Sequence, residues 1–264
     1  PIKLIVSGGG TGGHIYPALA IASDVKMHAP DSEVLFVGAV GKMEMEKVPK
    51  AGFPIRALWI SGFQRSLTLK NLLFPLKVLV SLVQAFILLK QFKPHIVVGT
   101  GGFASGPVLQ MAQWLKLPTL IQEQNSYPGI TNRILSKKVG AICVAFEGME
   151  RFFPAQKIKI TGNPIRANLQ QLPPAESAKA HFGLDLKKPV LAVIGGSLGA
   201  KSINELIAKQ LPTIQKLNLQ ILWQCGALYY EKYKNLAAKE VVIRPFIYEM
   251  DQFYSASDFL ISRA

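Results

Sequence analysis

Apolar and polar positions along this chain fall into repeating blocks. The opening run, IKLIVS, is short, rich in branched aliphatics and ends in Gly8, which predicts a strand and a tight turn. PALAIASDVKMH follows with helical spacing, and SEVLFVGA reads as a second strand. HIVVGTGG is a strand ending in glycines, GPVLQMAQWLK is a helix and PTLIQEQN is another strand. KVGAICVAF and IKITGNP continue the alternation. Strands that alternate with helices predict an α/β protein with a doubly wound parallel sheet, covered by helices on both faces. Residues 167–189 break the pattern. They are polar, carry Pro173, Pro174 and Pro189, and read as a linker or an entry helix. PVLAVIGGSLGAKSINELIAKQL then restarts the strand, glycine turn and helix, and QILWQCG, EVVIRPF and DFLIS read as three more strands. This predicts two domains of one style, 1–163 and 164–264. A doubly wound sheet normally adds a loop and helix after a strand such as DFLIS. The second domain is therefore expected to be incomplete, and the chain to be a C-terminally truncated piece.

Composition narrows the partners. At 49% hydrophobic and 17% charged residues over 264 positions, the chain can bury a core and is not disordered. It carries 30 Lys and Arg against 16 Asp and Glu, a formal charge of +14. That balance calls for an anionic partner: nucleic acid, a phosphorylated substrate or an anionic membrane face. The aromatics are not interleaved with the cations as a base-stacking platform needs, which argues against nucleic acid. Cys143 and Cys225 lie far apart, so neither a disulfide framework nor a cysteine zinc site is expected, and a reducing cytosol fits. Pro1-Ile2-Lys3 runs straight into the first strand and no signal peptide is read. From Lys47 to Gln122 there are nine Lys or Arg and no acid. Within it, Arg65, Lys70, Lys77, Lys90 and Lys93 alternate with apolar clusters. The longest uncharged run there, Val78 to Leu89, has 12 residues, short of the ~20 that span a bilayer. Such a stretch is either an amphipathic surface for an anionic leaflet, docked through Lys70, Lys77 and Lys90, or a core helix with snorkelling lysines.

Three strand-to-helix turns are rich in glycine: Gly8 to His14, Gly99 to Gly106, and Gly195 to Ala200. Glycine lets backbone N–H groups approach an anion, and the helix N-terminus that follows favours negative charge. The first turn matches G-x-G-x-x-G through Gly8, Gly10 and Gly13, but strand two ends in Gly38, Ala39 and Val40 with no acid for a ribose. That argues against a nicotinamide-dependent oxidoreductase. There is no P-loop, no D-x-D pair and no H-E-x-x-H, so no metal site is read and no cofactor is called for. His14 ends the first turn at the start of a helix, as a general base, a phosphate contact or a capping group. Glu123 follows 76 residues without an acid, at the end of a strand. It is a second candidate base or an ordinary ion-pair partner.

GGGTGGHIYPALAIA, GTGGFASGPV, QEQNSYPGITNRIL, GNPIR, GGSLGAKSIN and PFIYEMDQFYSASDFLISRA occur in this order and span the chain. Together they resemble the MurG family of bacterial cell-wall synthesis, the UDP-N-acetylglucosamine–N-acetylmuramyl-(pentapeptide) pyrophosphoryl-undecaprenol N-acetylglucosamine transferases. The resemblance implies a GT-B fold, two Rossmann-like domains facing a cleft, the first for the acceptor and membrane and the second for the donor. It implies inverting transfer of N-acetylglucosamine from UDP-GlcNAc to the C4 hydroxyl of lipid I, giving lipid II, at the cytoplasmic face of the cell membrane. Cell-wall and division proteins become possible partners. Carried over by motif, Thr11, Gly12, Gly13, Asn125, Arg166, Ser197 and Ile247 would contact UDP-GlcNAc. His14 would be the base or a contact to the lipid I diphosphate, with Glu123 the alternative base. Asn132, Asn204 and Arg263 are second-rank positions. Gln122 and Phe103 depart from the histidine and tyrosine common in the family, so neither is expected to be essential. The family's Gly-Ala-x-Thr-x-x-Glu segment, glutamine pair and C-terminal helix would follow SRA. Without them, weak donor binding and slow turnover are expected. The rival with most in common is a lipid glycosyltransferase of the same fold with a diacylglycerol acceptor.

Overall fold

The computed structural model describes residues 1–62, 73–166, 169, 171–196 and 198–263. It divides into two compact units, Pro1–Ala167 and Asn168–Ala264. Arg65, Lys70 and Ser197 lie outside the described residues.

In the first unit, seven parallel strands form one sheet: β1 (Lys3–Gly8), β2 (Glu33–Ala39), β3 (Ile55–Leu58), β4 (Ile96–Gly101), β5 (Thr119–Glu123), β6 (Ala141–Val144) and β7 (Ile158–Ile160). Their order is β3-β2-β1-β4-β5-β6-β7, so the direction of winding reverses between β1 and β4. Successive β1 side chains alternate between faces. Leu4 and Val6 pack with Ile15, Ala18 and Ala22 of α1 (Gly12–His28), while Ile5 packs with the opposite cluster containing Val108 and Leu109. All three strand residues are at most 2% exposed, and each buried aliphatic of this kind contributes about 1.5–3 kcal/mol.

The short helix α2 (Glu44–Lys50) follows β2, and α3 (Phe74–Phe92) follows β3. Counting uncharged residues understated α3. Its 19 residues, with a mean hydropathy of 1.5 over an 18-residue window, reach the length and composition of a membrane span, although only 17% of that window is buried. One face, Ser81, Ala85 and Leu89, is buried. Leu76, Leu79, Val83, Phe86 and Ile87 on the remainder are exposed. Helices α4 (Ser105–Trp114) and α5 (Ile130–Leu135) complete this unit.

The second unit repeats the plan. Strands β8 (Val190–Ile194), β9 (Gln220–Gln224), β10 (Val241–Arg244) and β11 (Phe259–Ser262) are parallel in the order β10-β9-β8-β11. Helix α7 (Lys201–Lys216) covers one face through Ile207, Leu211 and Ile214. Helices α6 (Ala175–His181) and α9 (Met250–Ala256) pack together on the other. Helix α8 (Ala227–Tyr233) follows β9. The polar stretch after the first unit thus contains the entry helix α6.

Candidate active site

Ligands of doubly wound sheets collect beyond the strand C-termini where the winding reverses. In the first unit that is the β1/β4 junction, where Gly8 pairs with Gly101. The two glycine turns touch there. Gly9 N–H donates to Gly101 O at 3.2 Å, and a Cβ on Gly102 would lie 2.2 Å from Gly9 O. The glycines of this pair are therefore needed for the close approach of one backbone to another.

His14 sits on that contact. Its main-chain carbonyl accepts from Thr100 Oγ1 at 2.8 Å, and a Cβ on Gly101 would meet its ring at 2.8 Å. Its Nδ1 is 3.0 Å from Gln124 Oε1. The Gln124 amino group donates to Thr100 O at 2.8 Å, to Gln122 O at 3.1 Å and to Gln122 Oε1. Gln122 Nε2 in turn donates to Asn163 Oδ1 at 3.3 Å. Thr11 and Gly13 are exposed and Gly12 half-buried at the start of α1, and Asn125 is exposed beyond β5. The Arg166 guanidinium lies over the Tyr16 ring, 5.0 Å from its centroid, and so joins the same end of the first unit.

The two buried acids serve the scaffold. Glu123, 1% exposed, accepts from Asn125 N at 3.0 Å, Asn125 Nδ2 at 2.9 Å, Gly129 N at 3.3 Å and Asn132 Nδ2 at 2.8 Å. With both oxygens engaged by the loop after β5, it organises that loop, in contrast to the reading of Glu123 as a base. Asn132 is accordingly a buried partner of Glu123. Glu44, overlooked in the sequence because it lies 30 residues beyond the first turn in a polar stretch, is also 1% exposed. Its carboxylate accepts from Gly10 N at 2.9 Å and Ala39 N at 3.0 Å. A Cβ on Gly9 would meet this carboxyl group at 2.3 Å, and one on Gly38 would meet Glu44 Cγ at 2.5 Å.

In the second unit the turn after β8 differs. Gly196 has φ +89°, and among the described residues nothing lies within 4 Å of a Cβ built there. Gln224, 2% exposed, donates to Gly196 O at 3.0 Å and accepts from Ile247 N at 2.8 Å. The Ile247 side chain is 2% exposed and packs with Leu222 and Phe253. Any contact from Ile247 to a base must therefore come from its main chain. Asn204, completely buried, accepts from Trp223 Nε1 at 3.0 Å and donates to Cys225 O at 2.8 Å, which makes it a core residue. Arg263 is exposed just past β11. Gln224 carried no motif and showed only as a polar residue at the end of an apolar strand, while Gln124 lay inside QEQN without being singled out.

Two α/β units, each with a glycine turn at its winding reversal, form the two-domain architecture of the GT-B class, and the family match makes the chain a glycosyltransferase of that class. The glycosyltransferase family 28 N-terminal domain matches residues 4–144, and the family 28 C-terminal domain matches residues 190–264. The chain belongs to this family and, within it, to the UDP-N-acetylglucosamine–N-acetylmuramyl-(pentapeptide) pyrophosphoryl-undecaprenol N-acetylglucosamine transferases. A transferase of that name from Flavobacterium psychrophilum is 54% identical over 264 residues, covering 99% of this chain and 72% of the relative. One from Cytophaga hutchinsonii is 52% identical over 265 residues, covering 100% and 72%. The crystal structure of MurG from Acinetobacter baumannii is 28% identical with a TM-score of 0.68, covering 100% of this chain and 72% of that one.

Proposed function

We infer that this chain transfers N-acetylglucosamine from UDP-GlcNAc to the C4 hydroxyl of lipid I, undecaprenyl-pyrophosphoryl-N-acetylmuramyl-pentapeptide, giving lipid II. The observation that carries this is the 54% identity to a transferase of that name across 99% of the chain. In the step, the acceptor oxygen bonds to the anomeric carbon from the face opposite UDP. The bond from that carbon to the diphosphate oxygen breaks, and UDP leaves with the electron pair. His14 takes the hydroxyl proton, a role supported by its place at the winding reversal and by the internal engagement of Glu123. Thr11, Gly12, Gly13, Asn125 and Arg166 contact the donor. Ser197 and the turn at Gly196, ahead of α7, receive the charge that develops on the leaving diphosphate.

The acceptor is a lipid, and the protein docks peripherally on an anionic leaflet at the cytoplasmic face. Supporting this, exposed Leu79, Val83 and Phe86 of α3 lie on a helix whose other face is fastened to the core. Lys90 lies 5.8 Å from the Phe86 ring centroid, placing a cation at the rim of the apolar patch.

The test is transfer of labelled N-acetylglucosamine to a lipid I analogue. The 264 residues are assayed alone and joined to the remainder of the Flavobacterium psychrophilum relative. Labelled lipid II from the joined chain is expected. No product from it, with product on a diacylglycerol acceptor, would replace the acceptor assignment.

A further inference from the structure

The amide of Gln124 can be oriented in only one way. Three acceptor oxygens surround its Nε2: Thr100 O at 2.8 Å, Gln122 O at 3.1 Å and Gln122 Oε1. The Gln122 amide is set the same way, because its own Nε2 faces Asn163 Oδ1 at 3.3 Å. The amino group of Gln124 must occupy that end, and its Oε1 must face His14 Nδ1, 3.0 Å away. A carbonyl oxygen can only accept, so the hydrogen of this bond sits on the imidazole.

We propose that Gln124 is a positioning residue that holds His14 as the Nδ1–H tautomer and leaves the Nε2 lone pair for the acceptor hydroxyl. The proposal rests on the reading of His14 as the base. The relay runs Asn163, Gln122, Gln124, His14 and ties the ends of β7, β5 and β4 to the imidazole. Gln122, expected to be dispensable, is its middle link. A carboxylate in the place of Gln124 would favour the imidazolium, which has no lone pair to offer. A neutral amide orients the ring without adding that charge, and its burial at 9% exposure keeps water from competing for Nδ1.

The experiment is ¹⁵N NMR of the histidine rings, in the chain and in Gln124→Met, paired with steady-state kinetics on the length active in the transferase assay. The chain has 4 histidines, and His14 is assigned by the resonance lost in His14→Gln. The expected result is a pyrrole-type Nδ1 and a pyridine-type Nε2 at His14. In Gln124→Met the two nitrogens should average between tautomers. There, kcat should fall by about ten- to a hundredfold, within the contribution of a general base, while KM for UDP-GlcNAc moves less than about threefold. A hydrogen on Nε2 of the unaltered chain, or an unchanged tautomer in the variant, would overturn the proposal without touching the assignment of the base. A changed tautomer with unchanged kcat would instead overturn the assignment of His14 as base, and the catalytic role of Gln124 with it.

Discussion

Gln224 accepts a hydrogen bond from the main-chain N–H of Ile247 at 2.8 Å, and its amino group holds Gly196 O at 3.0 Å. One buried amide thus joins the glycine turn after β8 to the segment after β10. If that turn receives the donor diphosphate and the Ile247 main chain the base, Gln224 sets the spacing between them. Gln224→Met should raise the Kd for UDP-GlcNAc by about tenfold, the equivalent of about 1.4 kcal/mol. Isothermal titration checks this. An unchanged Kd would confine Gln224 to folding.

Asn204 should behave as a stability residue. Asn204→Ala leaves Trp223 Nε1 and Cys225 O without partners in the core, at about 1–3 kcal/mol for each group. Urea unfolding should show a loss of at least about 2 kcal/mol. A larger effect on donor affinity than on stability would contradict the core assignment.

Asp258 gives the second unit an acid-sensitive joint. Partial burial raises its carboxyl pKa, but the Lys179 and Val190 N–H bonds and the Lys179 charge outweigh this, so it lies below the ordinary 3.8. A depressed folded value means stability that is fully present above the unfolded pKa and fades as pH falls through the folded one. Asp258→Asn should therefore lower Tm by a few degrees at pH 7, where it removes the carboxylate paired with the largely buried Lys179 and leaves that ammonium its bond to Lys188 O. The gap from the unaltered chain should narrow as pH falls from above 3.8 through the lowered folded value. Thermal unfolding across that range decides it; a gap that widens in acid would reverse the sign.

On phosphatidylglycerol vesicles, the pair Lys77→Gln and Lys90→Gln should weaken binding about tenfold or more, at about 1 kcal/mol per cation. Lys77 also bonds Ser61 Oγ at 3.0 Å and lies 5.7 Å from the Trp59 ring centroid, so Lys90→Gln alone should carry most of the loss. Leu79→Ser with Phe86→Ser should weaken binding to neutral vesicles as well. Sedimentation unaffected by all four changes would remove α3 from the membrane.

Much of the fold was legible because buried parallel strands such as VLFV and LAVI are unbroken apolar runs, and each is followed by glycine. Strand β3 was missed because IRAL is an edge strand, with Arg56 exposed in its middle. Helices α5, α8 and α9 have six or seven residues, too few for a period to show. The glycine turns and His14 were visible as motifs. What spacing could not reveal was which groups spend their contacts inside the protein: Glu123 on its own loop, Asn204 on Trp223, and Ile247 in the core with its N–H held by Gln224. Those assignments depend on contacts between residues far apart in sequence.

Glu44 fills the first glycine turn from within. By giving Gly10 N–H an acceptor oxygen of its own, the first unit occupies a donor that a related dinucleotide fold would turn toward a pyrophosphate. A phosphate arriving there would find that donor already taken.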